Sequence, residues 1–200
     1  MRCLVVGAGQ VAQRKIMTLV NEGANVIVVS PLLTPELEGL LGKQAFTWVK
    51  DYYHADYLEG SFLVIAATND RAVNARIASD CRARQLLVNV IDSREESSFT
   101  VNSMHRQGDL MIAVSTNGIS PAMAKSIRKD IGLQYGEEYK SVLEIIREAR
   151  SLAQEHIHDE EKRRACLLQL GSMDLIDMLK VKSIDEVKKR VKLCLSYYWD

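Results

Sequence analysis

Gly7 and Gly9 stand two residues apart with Ala12 three further on, a G-x-G-x-x-A spacing. It lies between the apolar run 2–6 and a stretch in which Val11, Ala12, Ile16, Leu19 and Val20 recur at helical spacing. Strand, tight turn and helix in that order are the setting in which this spacing holds a dinucleotide. The first glycine permits the turn, the second lets bare main chain approach a pyrophosphate, and the small third residue lets helix and strand pack closely. The helix N-terminus then offers N–H donors and a positive dipole to the phosphates. The bland alternative is a glycine turn that only joins strand to helix. The second element of the motif, an acidic residue ending the next strand, is missing, because that strand ends Val28-Val29-Ser30-Pro31 and leaves Ser30 as a weak substitute. No Lys or Arg lies between Val26 and Gly42 to receive a 2′-phosphate, which favours NAD over NADP.

Other chemistry-bearing residues form weaker patterns. Cys3, Cys81, Cys166 and Cys194 make no CxxC unit, so neither a zinc ribbon nor a redox dithiol is expected. His156 and His158, two apart on a helical stretch, point away from each other, and no metal site is expected. The 26 Lys and Arg balance the 26 Asp and Glu, and no basic stripe interleaved with aromatics occurs, which argues against nucleic acid. The apolar runs stop far short of the roughly 18 residues of a membrane span. Met1-Arg2 leads straight into a strand-like run, so the chain reads as cytoplasmic and reduced.

The elements that must position the glycine turn follow an alternating pattern. Strands are expected at 2–6, 25–29, 45–49, 62–67 and 86–91, with helices after 9, at 35–41 and at 70–84. This alternation implies an α/β fold with a Rossmann-type parallel sheet and crossover helices. Residues 98–104 and 110–115 flank the turn-forming Arg106-Gln-Gly-Asp and predict a hairpin. Ser120-Pro121 opens a helix expected to run to about Ile131. From Tyr135 onward the chain reads as helical, with Val142, Ile145, Ile146 and Ala149 on one stripe and Val187, Val191, Cys194 and Leu195 on another.

The strings GAGQVAQRK (7–15), VVSP (28–31), AATND (66–70), NVID (89–92) and STNGISPAMAKSIR (115–128) resemble the precorrin-2 dehydrogenases, the dehydrogenase and ferrochelatase module of sirohaem synthases. The resemblance covers residues 2–133. It implies NAD as acceptor of a hydride from the tetrapyrrole precorrin-2, giving sirohydrochlorin, and in some members the insertion of ferrous iron as a second substrate. It also implies a Rossmann domain at 1–97, a hairpin and helix dimerisation region at 98–133, a small all-helical domain at 134–200, and a homodimer.

Site residues carry over one at a time. Gln10 and Val11 match the turn beside the pyrophosphate, Pro31 and Leu32 flank the adenosine ribose, and Thr68 of the AATND string joins the cofactor-binding set. Asp92 matches the aspartate implicated in both reactions, and a carboxylate there suits a general base for the proton that leaves with the hydride. Thr116 matches a hydroxyl near the macrocycle, with Ser115 beside it. Because the substrate is a polycarboxylate, His105, Lys125 and Arg128 are expected to meet its carboxylates. The sequence departs from the family at 93–98, which lacks the usual proline and cysteine, and at Asn102, where proline is common. Two readings compete with the dehydrogenase: an NAD-sensing regulatory module, and an oxidoreductase for another small substrate.

Overall fold

The computed structural model describes residues 1–43, 45–91 and 93–199. The chain divides into two compact units, Met1–Val101 and Asn102–Asp200. The first is built on strands β1 (Arg2–Val6), β2 (Asn25–Val29), β3 (Thr47–Val49), β4 (Leu63–Ala66) and β5 (Leu87–Val90), with helices α1 (Gln10–Asn21), α2 (Pro35–Leu41) and α3 (Arg71–Ala83). All strand pairs are parallel and the order is β3-β2-β1-β4-β5. This is the doubly wound arrangement the alternating pattern predicts, with its order reversing between β1 and β4.

The strands are apolar on both faces because helices cover both. Leu4 and Val6 of β1 point with Val64, Ala66, Val88 and Val90 toward Ile77, Ala78 and Cys81 of α3. Val5, between them, points the other way with Val26, Val28 and Ile65 toward Ala12 and Ile16 of α1 and Leu37 of α2. Burial of side chains such as Leu4, Ile16 and Ile77 contributes about 1.5–3 kcal/mol each. In the register, Leu4 lies opposite Ile27 and Val64, which brings the carboxyl ends of β1, β2 and β4 to one edge.

The expected strand over 98–104 starts later than predicted, because its first residues close the edge of β5 instead. Ser98 Oγ accepts from Val88 N at 2.8 Å, Ser97 Oγ accepts from Val90 N at 2.9 Å, and Asn89 Nδ2 donates to Phe99 O at 3.0 Å. Two hydroxyls, together with the Ser98 N–H donating to Val88 O at 2.8 Å, thus stand in for a sixth strand and blunt the open edge. The hairpin proper is β6 (Ser103–Gln107) and β7 (Leu110–Val114), antiparallel, with Gly108 at φ +58° in its turn.

Within the second unit, α4 (Pro121–Gln134) packs on the hairpin and continues through Gly132. Helices α5 (Glu137–His156), α6 (Glu160–Ser172), α7 (Leu175–Val181) and α8 (Ile184–Ser196) enclose a core of Val142, Ile145, Ala149, Leu170, Val191 and Leu195 among others. Both predicted apolar stripes face that core. No helix among the described residues is long and apolar enough to cross a membrane.

Candidate functional site

The reversal of strand order opens a cavity of about 540 Å³ at the carboxyl ends of the strands, entirely within the first unit. Such crevices are where open α/β sheets bind ligands. Its walls come from the β1–α1 turn, the loop after β2, the residues after β3 and the β4–α3 loop.

The two glycines of the turn differ physically. Gly7 adopts φ +101°, donates to Val29 O at 2.9 Å, and a Cβ there would lie 2.7 Å from the Ala67 carbonyl carbon. The fold itself therefore demands glycine at position 7. Gly9, the N-cap of α1, has φ −74°, which any residue adopts, and a Cβ there would meet nothing within 4 Å. Nothing among the described residues requires glycine at position 9; the open space in front of it suits a ligand group.

Electrostatics sharpen the point. Helix α1 has no side-chain N-cap and no acid in its first turn. Each of the other described α-helices has a side-chain cap, acidic residues in the first turn, or both. The N–H groups and dipole of α1 are thus left for an anion at the cavity wall.

Six residues expected to meet the cofactor line this cavity: Gly7, Gly9, Ser30, Pro31, Leu32 and Thr68. Ala12 is buried beneath the turn against the sheet, as the motif's packing position requires, while Gln10 and Val11 are exposed on the first turn of α1. Ser30 is buried. Its Oγ donates to Leu32 O at 2.7 Å, and its carbonyl accepts from Trp48 Nε1 at 3.0 Å, which fixes the loop after β2. Thr68 is held by Asn74, whose Oδ1 accepts from both Thr68 N and Thr68 Oγ1 and whose Nδ2 donates to Thr68 O. Asp70 caps α3 by accepting from Ala72 N and Val73 N. The far rim is tied by Thr34, whose hydroxyl donates to Gln13 Oε1 of α1 at 2.8 Å.

The residues after β3 were not singled out by the sequence, yet Asp51, Tyr52 and Tyr53 line the same cavity, with Arg76 of α3. Asp51 Oδ2 accepts from Tyr57 Oη at 2.6 Å and Oδ1 from Tyr52 N at 2.7 Å. These bonds, the tyrosine's first, hold the Asp51 carboxyl below the usual carboxylate range, so it is ionised. Burial and then the Asp80 carboxylate, which accepts from its hydroxyl, push the Tyr53 phenol up. The signal that could have found these residues was topological: β3 is parallel to β2, so its end must open on the same edge.

Asp92 lies outside the described residues. The remaining expected residues belong to the second unit. Thr116 Oγ1 donates to Ser120 O and accepts from Ser120 N, closing a loop in which Asn117 and Gly118 both have positive φ and Ser115 Oγ accepts from Asn117 N. Lys125 is exposed and Arg128 half-buried, three apart on α4. His105 is buried, with Nε2 2.7 Å from Tyr135 O and its ring beside Gly132, so the imidazole anchors the hairpin to α4. Among the described residues no cluster of His, Cys, Asp or Glu is arranged to hold a metal.

A doubly wound sheet whose first helix opens, uncapped and without acids, behind a bare glycine defines a dinucleotide-binding protein of the Rossmann class. The chain's residues 1–103 match the model of a putative NAD(P)-binding family, and residues 107–132 match that of the central region of sirohaem biosynthesis proteins. It is 39% identical over 129 residues to a sirohaem synthase of Photobacterium profundum, covering 64% of this chain and 28% of that one. It is 35% identical over 162 residues to the sirohaem synthase of Methylobacillus flagellatus, covering 81% and 35%. The chain thus spans about a third of the length of these relatives. Among solved structures, SirC, a precorrin-2 dehydrogenase, superposes with a TM-score of 0.80 at 26% identity, covering 96% of this chain and 94% of SirC. The chain belongs to the putative NAD(P)-binding family whose model spans its residues 1–103, and it is similar to SirC and to the corresponding part of the sirohaem synthases.

Proposed function

We propose that this chain oxidises precorrin-2 to sirohydrochlorin with NAD. The observation that carries the reading is the α1 N-terminus, left uncapped and free of acids behind Gly9 in a cavity at the topological switch point. The likeness to SirC over nearly the whole of both chains supports the substrate. When bound, NAD supplies the hydride acceptor. The main chain at Gly7 and Gly9 and the first turn of α1 hold its diphosphate, and the loop from Ser30 to Leu32 flanks the adenosine. Asp92 takes the proton that leaves the macrocycle alongside the hydride. Lys125 and Arg128 meet substrate carboxylates, and Ser115 and Thr116 shape the loop that presents them. Ferrous iron is a second substrate in this reading, delivered to the oxidised macrocycle.

We assign the dimerisation role to residues 98–133. Met104 and Met111 lie with Arg106 on the hairpin face opposite His105 and all three are exposed, and a two-stranded sheet that presents two methionines outward suits a second copy of the chain. The four cysteines are buried free thiols, which fits the reducing cytoplasm.

The test is turnover. Purified protein with NAD should convert precorrin-2 to a product with the absorbance band of sirohydrochlorin. Asp92→Asn should abolish that conversion while NAD still binds; a variant with full rate removes Asp92 from the base role. Repeating the assay with ferrous iron tests the second reaction.

A further inference from the structure

The cavity contains a carboxylate that the dinucleotide motif does not provide. In the motif the ribose hydroxyls are met by an acid ending β2, but here that position is Ser30, whose hydroxyl proton is given to Leu32 O. The fold brings an acid to the same cavity from the loop that follows the adjacent strand β3. The carbonyl of Val49, the last residue of β3, accepts from Ser30 N at 3.2 Å and from Asp51 N at 3.0 Å. One oxygen therefore pins the end of β2 and the start of the loop after β3 side by side at the cavity wall. Asp51 is partly exposed there, and its carboxylate is fixed from behind by Tyr57 Oη and Tyr52 N. Each of those donors occupies one oxygen and leaves further lone pairs on both.

We infer that Asp51 replaces the missing acid of β2 and sets the choice of cofactor, accepting from the adenosine ribose of NAD and repelling the 2′-phosphate of NADP. A carboxylate can accept from a 2′-hydroxyl, whereas against a phosphate dianion it has only repulsion to offer, and discrimination by such a repulsive element is a general route to specificity. The one cation among the described lining residues is Arg76 of α3. Its guanidinium lies over the Tyr53 ring and pairs with Asp80 on its own helix.

This inference rests on the cofactor reading above, and calorimetric titration of the full chain with NAD and with NADP separates the two. Wild-type protein should bind NAD at least about tenfold more tightly than NADP, about 1.4 kcal/mol of preference. In Asp51→Asn that preference should fall to about twofold or less, chiefly through tighter NADP binding, and raising the salt should shrink the wild-type preference but not the variant's. Tyr57→Phe removes the same Tyr57–Asp51 hydrogen bond yet keeps the charge, so it should lower the unfolding midpoint while the NAD preference persists. Loss of preference in Tyr57→Phe equal to that in Asp51→Asn would make Asp51 a merely structural residue and overturn the inference. So would an unchanged preference in Asp51→Asn, or equal affinities in the wild type, either of which leaves the cofactor reading standing. Failure of wild-type protein to bind either nucleotide would remove both.

Discussion

Among the described residues, two helices begin at glycine without a side-chain cap, one in each unit, and they have been left that way for different reasons. At α5 the N-cap Gly136 is followed at once by Glu137 and Glu138, and the Glu138 carboxylate folds back so closely that a Cβ on Gly136 would lie 2.5 Å from it. The chain supplies the negative charge that its own helix dipole attracts. At α1 the N-cap Gly9 has open space before it and no acid in the turn behind it. An uncapped helix therefore carries information about a ligand only where the sequence also withholds the usual internal substitute.

The contrast is hardest to maintain if position 7 is altered, because Gly7 is what aims the turn. Gly7→Ala should destabilise the first unit by about 4 kcal/mol or more, combining left-handed strain with a collision against the Ala67 carbonyl. Denaturant titration should show an early transition for that unit, and a near-native midpoint would mean the turn can rearrange. Gly9→Asp attacks the comparison directly. Aspartate is a favoured N-cap and complements the dipole, so stability should hold or rise by about 0.5–1 kcal/mol. The same carboxylate would occupy the place of the diphosphate, and the Kd for NAD should rise about 100-fold, near 2.7 kcal/mol. A more stable protein that no longer binds is a combination that a purely structural Gly9 does not produce. Unchanged NAD affinity would reject the turn as the cofactor site.

Much of the fold was legible because it was local. The bounds of β1, β2 and α2 follow from uninterrupted apolar runs and from a Pro at the first helical position after Thr34, whose hydroxyl accepts from Leu37 N. The segment 98–104 misled because Ser97, Ser98 and Phe99 make strand-like contacts with β5 mostly through side chains, a tertiary arrangement with no sequence period. The candidate site divides the same way. Gly7, Gly9 and Ala12 form a contiguous motif and could be read directly. Asp51 and Arg76 reach the cavity only because β3 pairs with β2 and α3 follows β4, so their proximity belongs to the topology and not to any spacing.

The smaller effects lie in the helical unit, where caps should change stability and leave the nucleotide untouched. Ser183 and Glu186 form a reciprocal capping box at the start of α8, and Ser183→Ala should cost about 1 kcal/mol with no change in NAD affinity. Gly136→Ala should be nearer neutral, because two terms oppose each other. Alanine is a poorer N-cap and displaces the Glu138 carboxylate, which can swing into solvent, while loss of a glycine restricts the unfolded chain and returns a few tenths of a kcal/mol. The net change in unfolding free energy should stay within about 0.5 kcal/mol. If Gly136→Ala instead weakened NAD binding as Gly9→Asp does, the two glycine-headed helices would not differ in kind, and an uncapped N-terminus would lose its value as a sign of a bound anion in this molecule.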